Sequence, residues 1–221
     1  MSRPVEEDHP APPLAEPWPS TYARAVLFAG ERHAGQRRKG SDEPYLVHPL
    51  RVCERLRTQA VPPVQDEVTL VAALLHDVLE DTATAAGELE DAFGAPVAAV
   101  VGELTNDTSL ERAERKARMI ERFRSGSVRA RLVKLADRLD NLSDAPPQWS
   151  AEKWRAYLDE SERLLAAMQS EPLPQGHPSD AQLAEAASLR ASFADLAQRL
   201  HERIAVCRGN SPPPVANGPP V

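Results

Sequence analysis

Val71-Ala72-Ala73-Leu74-Leu75-His76-Asp77-Val78-Leu79-Glu80-Asp81 is the stretch that decides what kind of protein this is. Its apolar residues run too continuously for a half-solvated surface, so the spacing predicts a buried helix from Val68 to about Asp81, capped by Asp66. Four ionisable groups inside such a helix would cost several kcal/mol unless paired or bound to a metal. The i, i+4 spacing groups His76 with Glu80 and Asp77 with Asp81. Adjacent His and Asp can reach one metal at the helix edge, leaving the carboxylates one turn later to handle water. The plainer alternative is a hydrogen-bonded core histidine with an acidic helix end, and the full quartet favours the metal.

The helical period recurs on both sides of this segment. Upstream, Ser20 caps a predicted helix with apolar positions at Ala23, Val26, Leu27 and Ala34, ending near Gly35. The polar loop from Gln36 to Pro44 follows, and Pro49 sits at the first turn of the next helix, with His48 beside its start. Downstream, helices are predicted from Thr84 to Phe93, from Pro96 to Leu104 and from Leu110 to Phe123. Three more follow, from Val128 to Leu142 and over about 150–169 and 180–206. The Val128–Leu142 helix has its apolar stripe at Val128, Leu132, Leu135, Leu139 and Leu142, and sets Asp137 and Asn141 at i, i+4 between leucines.

Composition agrees with an all-α body. The chain has 221 residues, 21 prolines, ten glycines and 5% aromatic residues. Strands favour aromatics and hairpins need glycine turns, so a many-stranded protein is disfavoured. Six prolines precede Ser20 and five follow Asn210. The expected organisation is therefore a disordered tail over 1–19, a folded body in which Pro146-Pro147 breaks the chain before the last helices over 146–207, and a second disordered tail over 208–221. Two widely spaced cysteines, no apolar run of membrane length and an acidic first twenty residues make a reducing, cytoplasmic setting the expectation.

The net charge of −7 argues against a generic nucleic-acid-coating protein. From Glu111 to Arg138, however, ten basic residues face four acids. Such a run is either a solvated helix face or a positive wall for a small anion. It lacks interleaved aromatics beyond Phe123, which leaves base stacking on RNA poorly served. Together His48, His76, Asp77 and Asp137 offer two imidazoles and two carboxylates, a set suited to Mn²⁺, Fe²⁺ or Zn²⁺ with room for water.

The order of these residues resembles the HD phosphohydrolase arrangement. Longer strings narrow the resemblance: His33-Ala34-Gly35-Gln36-Arg37-Arg38-Lys39, Pro44-Tyr45-Leu46-Val47-His48-Pro49, Ala73 through Thr82, and Lys134-Leu135-Ala136-Asp137-Arg138-Leu139 with Asn141-Leu142. Over about residues 20–145 they are similar to the hydrolase domain of RelA/SpoT proteins and their small hydrolase-only relatives. The resemblance implies an HD-domain helical bundle and a stand-alone hydrolase of the stringent-response nucleotides. It implies that His48, His76, Asp77 and Asp137 bind the metal, usually Mn²⁺, and that Glu80 and Asp81 position and deprotonate water. It also implies that Arg38 lies against guanine, Lys39 meets phosphate, and Tyr45 and Asn141 line the nucleotide pocket. The implied reaction converts (p)ppGpp to GDP or GTP and pyrophosphate. Asn106 and Ser143-Asp144 depart from the family's usual lysine and arginine, and the Gly40–Glu43 loop is one residue longer than in many bacterial members. An HD phosphatase of another nucleotide such as NADPH, and a non-catalytic nucleotide sensor, are the alternatives. The intact Glu80-Asp81 pair speaks against the sensor.

Overall fold

The computed structural model describes residues 20–146, 148–170 and 180–209. The expected tail over 1–19 lies outside these residues, as does the second tail beyond Gly209. Ten α-helices are described: α1 (Ser20–Arg32), α2 (Val47–Glu54), α3 (Glu67–Leu75), α4 (Val78–Asp81), α5 (Ala86–Phe93), α6 (Ala95–Leu104), α7 (Arg112–Ser125), α8 (Val128–Ser143), α9 (Ala151–Ser170) and α10 (Asp180–Gly209). A π-helical turn, Arg55–Gln59, extends α2. Among the described residues there is no strand beyond one isolated bridge, Arg37 to Pro44, that closes the polar loop. The all-α expectation holds. No described helix is long and apolar enough to cross a membrane.

Local chemistry explains most boundaries. The Asp66 carboxylate accepts from the Thr69 amide at 3.0 Å and caps α3 as its sequence predicts. Gly94, at φ +84°, turns the chain between α5 and α6, a backbone conformation that L side chains rarely adopt. The helix expected over Val68–Asp81 is instead two helices, because the chain leaves the helical path at His76-Asp77. Asp77 sits at φ −102°, ψ −5°, and the His76 Nδ1–H donates to the Ala73 carbonyl at 2.8 Å. This corner lifts Asp77 out of the apolar interior and restarts the backbone as α4.

The core is built around α8, which packs against α2, α3, α6 and α10, while α9 packs on α7 and α10. The single stripe expected of α8 is exceeded: every residue from Ala130 to Asp140 is buried except Lys134. Its leucines each contribute about 1.5–3 kcal/mol by burial. The polar members need partners inside. Arg131 donates to the carbonyls of Met168 and Arg124, and Arg138 pairs with Glu160 at 2.6 Å. Asp137 and Asp140 are turned toward α2 and α3, where the candidate site lies.

Candidate active site

Three elements deliver the ionisable cluster. The start of α2 supplies His48, the α3–α4 corner supplies His76 and Asp77, and the middle of α8 supplies Asp137. His48, His76 and Asp137 are 1%, 4% and 5% exposed, and each offers a ligand atom within 4.8 Å of the others. His48 Nε2 lies 3.3 Å from Asp137 Oδ1 and 3.8 Å from Asp77 Oδ2. His76 Nε2 lies 2.9 Å from Asp77 Oδ2, yet it is buried without the geometry of a hydrogen bond to any described partner.

The outer nitrogens explain why both inner ones converge. His48 Nδ1 is 2.8 Å from Asp140 Oδ2, and a carboxylate only accepts, so Nδ1 carries the proton. His76 Nδ1 likewise donates to the Ala73 carbonyl. Each Nε2 therefore presents a lone pair to the carboxylates when the imidazole is neutral. Two converging imidazoles, two carboxylates and one buried unpartnered Nε2 suit a divalent cation by their own chemistry.

The cation-free electrostatics are those of a self-compensating cluster. Burial alone would pull His76 down, but the Asp77 and Asp137 charges overcome it and push the imidazole up to about 9. His48 is also raised, by hydrogen bonds to Asp137 and Asp140 acting against burial. Burial favours the neutral acids, yet His76 and His48 hold Asp77 well below the usual carboxylate range. Lys134, 2.8 Å away, and His48 do the same for Asp137.

Glu80 and Asp81 stand beside this cluster in different ways. The expected pairing of Asp77 with Asp81 is realised through Tyr45, whose hydroxyl reaches Asp77 Oδ2 at 2.7 Å and Asp81 Oδ2 at 3.1 Å. Burial and the Asp77 charge raise the Asp81 carboxyl above its ordinary value. Glu80 turns instead to Asn106, whose backbone N–H and side-chain amide each donate to Glu80 Oε2 at 3.0 Å. Arg122 then donates to Asn106 Oδ1 at 2.9 Å.

All of the predicted site residues except His76 line one cavity of about 660 Å³, with His76 buried behind Asp77. Arg38 Nη2 donates to Asn141 Oδ1 at 3.0 Å, and Asn141 Nδ2 donates to Asp137 Oδ1 at 2.6 Å. The polar loop is thereby tied to the histidine–carboxylate cluster through a single amide. At the loop tip Gly40, at φ +80°, lies so close to Gln148 that a Cβ there would strike its side chain. An adjoining cavity of about 630 Å³ shares Lys39, Trp149 and Tyr157 with the first.

The basic run over 111–138 does not form one wall. Arg118 pairs with Glu114, Arg124 with Glu121, Arg129 with Asp66, and Arg138 and Lys116 with Glu160. Lys134 faces the first cavity and Arg112 and Lys116 the second. Sequence reasoning missed Asp140, which is fully buried and also takes Arg51 and Arg55 at 3.2 Å. Its i, i+3 spacing from Asp137 was the available signal. It also missed the part played by Asn106, for which one-dimensional spacing carries no signal.

The sequence profile of the HD domain matches residues 25–173. The chain is 42% identical over 142 residues to a guanosine-3′,5′-bis(diphosphate) 3′-pyrophosphohydrolase of Drosophila melanogaster, covering 62% of this chain and 78% of that protein. The protein of the same description from Homo sapiens is 40% identical over 150 residues, covering 66% of this chain and 83% of its own length. Among solved structures, one described as a metazoan ortholog of SpoT that hydrolyzes ppGpp matches with a TM-score of 0.66 at 31% identity. That match covers 84% of this chain and 98% of the other.

Proposed function

Because the chain belongs to the HD-domain family, we propose that it removes the 3′-pyrophosphate of guanosine alarmones, leaving GDP or GTP and pyrophosphate. The observation that carries the substrate is the identity of about 40% to relatives described as 3′-pyrophosphohydrolases, over about four fifths of their length. The site supports the chemistry, since a cation cluster and a carboxylate pair share one cavity with a basic loop.

In this reading His48, His76, Asp77 and Asp137 would hold one divalent cation, Mn²⁺ first, with Fe²⁺ or Zn²⁺ also suited to two nitrogens and two oxygens. When bound, such an ion supplies Lewis acidity toward water and phosphate. Water adds to the phosphorus next to the ribose, the bond from that phosphorus to O3′ breaks, and O3′ takes a proton. Glu80 and Asp81 orient the water and accept its proton, and burial beside the Asp77 charge makes Asp81 a stronger base than an ordinary aspartate. Tyr45 keeps Asp81 in register with Asp77. Lys39 offsets phosphate charge. Both cysteines are free and buried, which suits the reducing cytoplasm we assign to the protein.

The test of substrate is an incubation of the purified protein and Mn²⁺ with ppGpp, pppGpp, NADPH and GTP, followed by separation of products. Release of pyrophosphate from ppGpp and pppGpp is expected. Phosphate release from NADPH alone would transfer the site to another nucleotide.

Arg38 tests the guanine assignment. Its side chain is 12% exposed and Asn141 fixes the plane of its guanidinium, a surface on which a base can stack. Arg38→Lys keeps the charge and loses the plane, so KM for ppGpp is expected to rise about tenfold. Arg37 donates to the Asp42 carbonyl within its own loop, and Arg37→Lys should leave KM unchanged. Equal tolerance at both positions would reduce the loop to a positive surface.

A further inference from the structure

We propose that Asn106 and Arg122 are positioning residues that aim the Glu80 carboxylate at the attacking water. This rests on the assignment of Glu80 to water handling made above. Glu80 leaves α4 with no partner on its own element, and its Oε2 is gripped from the α6–α7 connection by two donors of Asn106, each at 3.0 Å. Two donors on one oxygen fix the rotation of the carboxylate and leave Oε1 as the oxygen not engaged by Asn106.

Arg122 makes this grip directional. An asparagine amide can face either way, but guanidinium only donates and carboxylate only accepts. Arg122 Nη2 on Asn106 Oδ1, at 2.9 Å, therefore leaves Nδ2 as the end that meets Glu80. The reversed amide would set Nδ2 against a guanidinium donor and Oδ1 against a carboxylate, with two repulsions in place of two hydrogen bonds. The Arg122 side chain is half-buried, with its guanidinium 5.5 Å from the centre of the Phe123 ring, so it is ordered by α7 rather than by solvent. Three elements thus converge on one carboxylate: α4 carries it, the α6–α7 connection orients it, and α7 orients the orienter.

The competing reading is a structural staple between α4 and α7. The two separate in a double-mutant cycle on the Mn²⁺-loaded full chain, with kcat and KM for ppGpp as readouts. Arg122→Met keeps the apolar stem and removes the donor. It is expected to lower kcat about tenfold with KM within about twofold, because a misaimed group costs turnover rather than binding. Arg122→Lys, which can still donate to Oδ1, should recover part of that loss. Asn106→Asp places a second carboxylate against Glu80 and should lower kcat further than Arg122→Met. In a Glu80→Gln background Arg122→Met should cost nothing more. Additive losses in the double variant, or an effect confined to KM or to melting temperature, would overturn the relay while leaving the role of Glu80 intact. Full turnover in Glu80→Gln alone would overturn the role of Glu80 and the relay with it.

Discussion

Asp137→Asn is expected to strip the protein of its divalent cation and bring hydrolysis to background, with excess chelator doing the same to the unaltered chain. The substitution is nearly isosteric, so the backbone of α8 and the packing of its leucines stay in place. It removes the charge from the oxygens that face His48 Nε2 at 3.3 Å and Lys134 Nζ at 2.8 Å. Lys134 is then left as an uncompensated ammonium beside the cation position, which adds repulsion to the lost ligand. Elemental analysis should find less than one equivalent of metal, and the melting temperature should fall because cation binding contributes to folding. Full activity in excess chelator, with no metal detected, would end the metal-dependent reading.

The same cluster sets a pH dependence whose sign differs between the two forms. Without the cation, His76 is raised from about 6.5 in the unfolded chain to about 9 in the folded one. That contribution to stability is complete below about 6.5 and is lost as pH rises through about 9. Cation binding requires the imidazoles neutral and so releases protons, which makes affinity grow over the same window. Between pH 6.5 and 9 the chelated protein is therefore expected to lose melting temperature while the Mn²⁺-loaded protein gains on it. Parallel curves for the two forms would show that His76 is not a ligand.

Glu80→Gln and Asp81→Asn carry the second large effect. Each is expected to keep the cation and the nucleotide while kcat falls about a hundredfold or more. Both replacements retain an acceptor oxygen, so the Asn106 donors still hold residue 80 and the Tyr45 hydroxyl still reaches residue 81. What they remove is the capacity to take a proton. Because the Asp81 carboxyl is raised, Asp81→Asn should flatten the acidic limb of the kcat profile. Loss of metal from either variant, to the degree expected of Asp137→Asn, would reassign that residue from chemistry to cation retention.

Several parts of this protein are legible in one dimension because their causes are local. The recurrence of apolar residues every three or four positions marks α1, α2 and α5 to α8, and Pro49, Asp66 and Gly94 mark the start of α2, the start of α3 and the end of α5 through fixed φ, capping and positive φ. The corner at His76-Asp77 has no such marker. Val78, Leu79, Glu80 and Asp81 are ordinary helix residues without an intervening Gly or Pro, and nothing in their order announces a break. Likewise the basic stretch from Arg112 to Arg138 reads as a charged surface, whereas packing turns Arg129 to Asp66, Lys116 and Arg138 to Glu160, and Arg131 to the carbonyls of Arg124 and Met168.

The sequence by itself therefore determined an all-α body and named the histidines and carboxylates that the fold brings together, since residue type and helical spacing are local properties. Tertiary structure alone decided which atoms face one another. His48 and Asp140 are 92 positions apart, Arg38 and Asn141 are 103 apart, and Glu80 and Asn106 are 26 apart. The first two contacts exist because α8 is wrapped by its neighbours and its polar groups find partners there, and the third because the α6–α7 connection lies against α4. Periodicity records which side of a helix is covered, and only packing records by what.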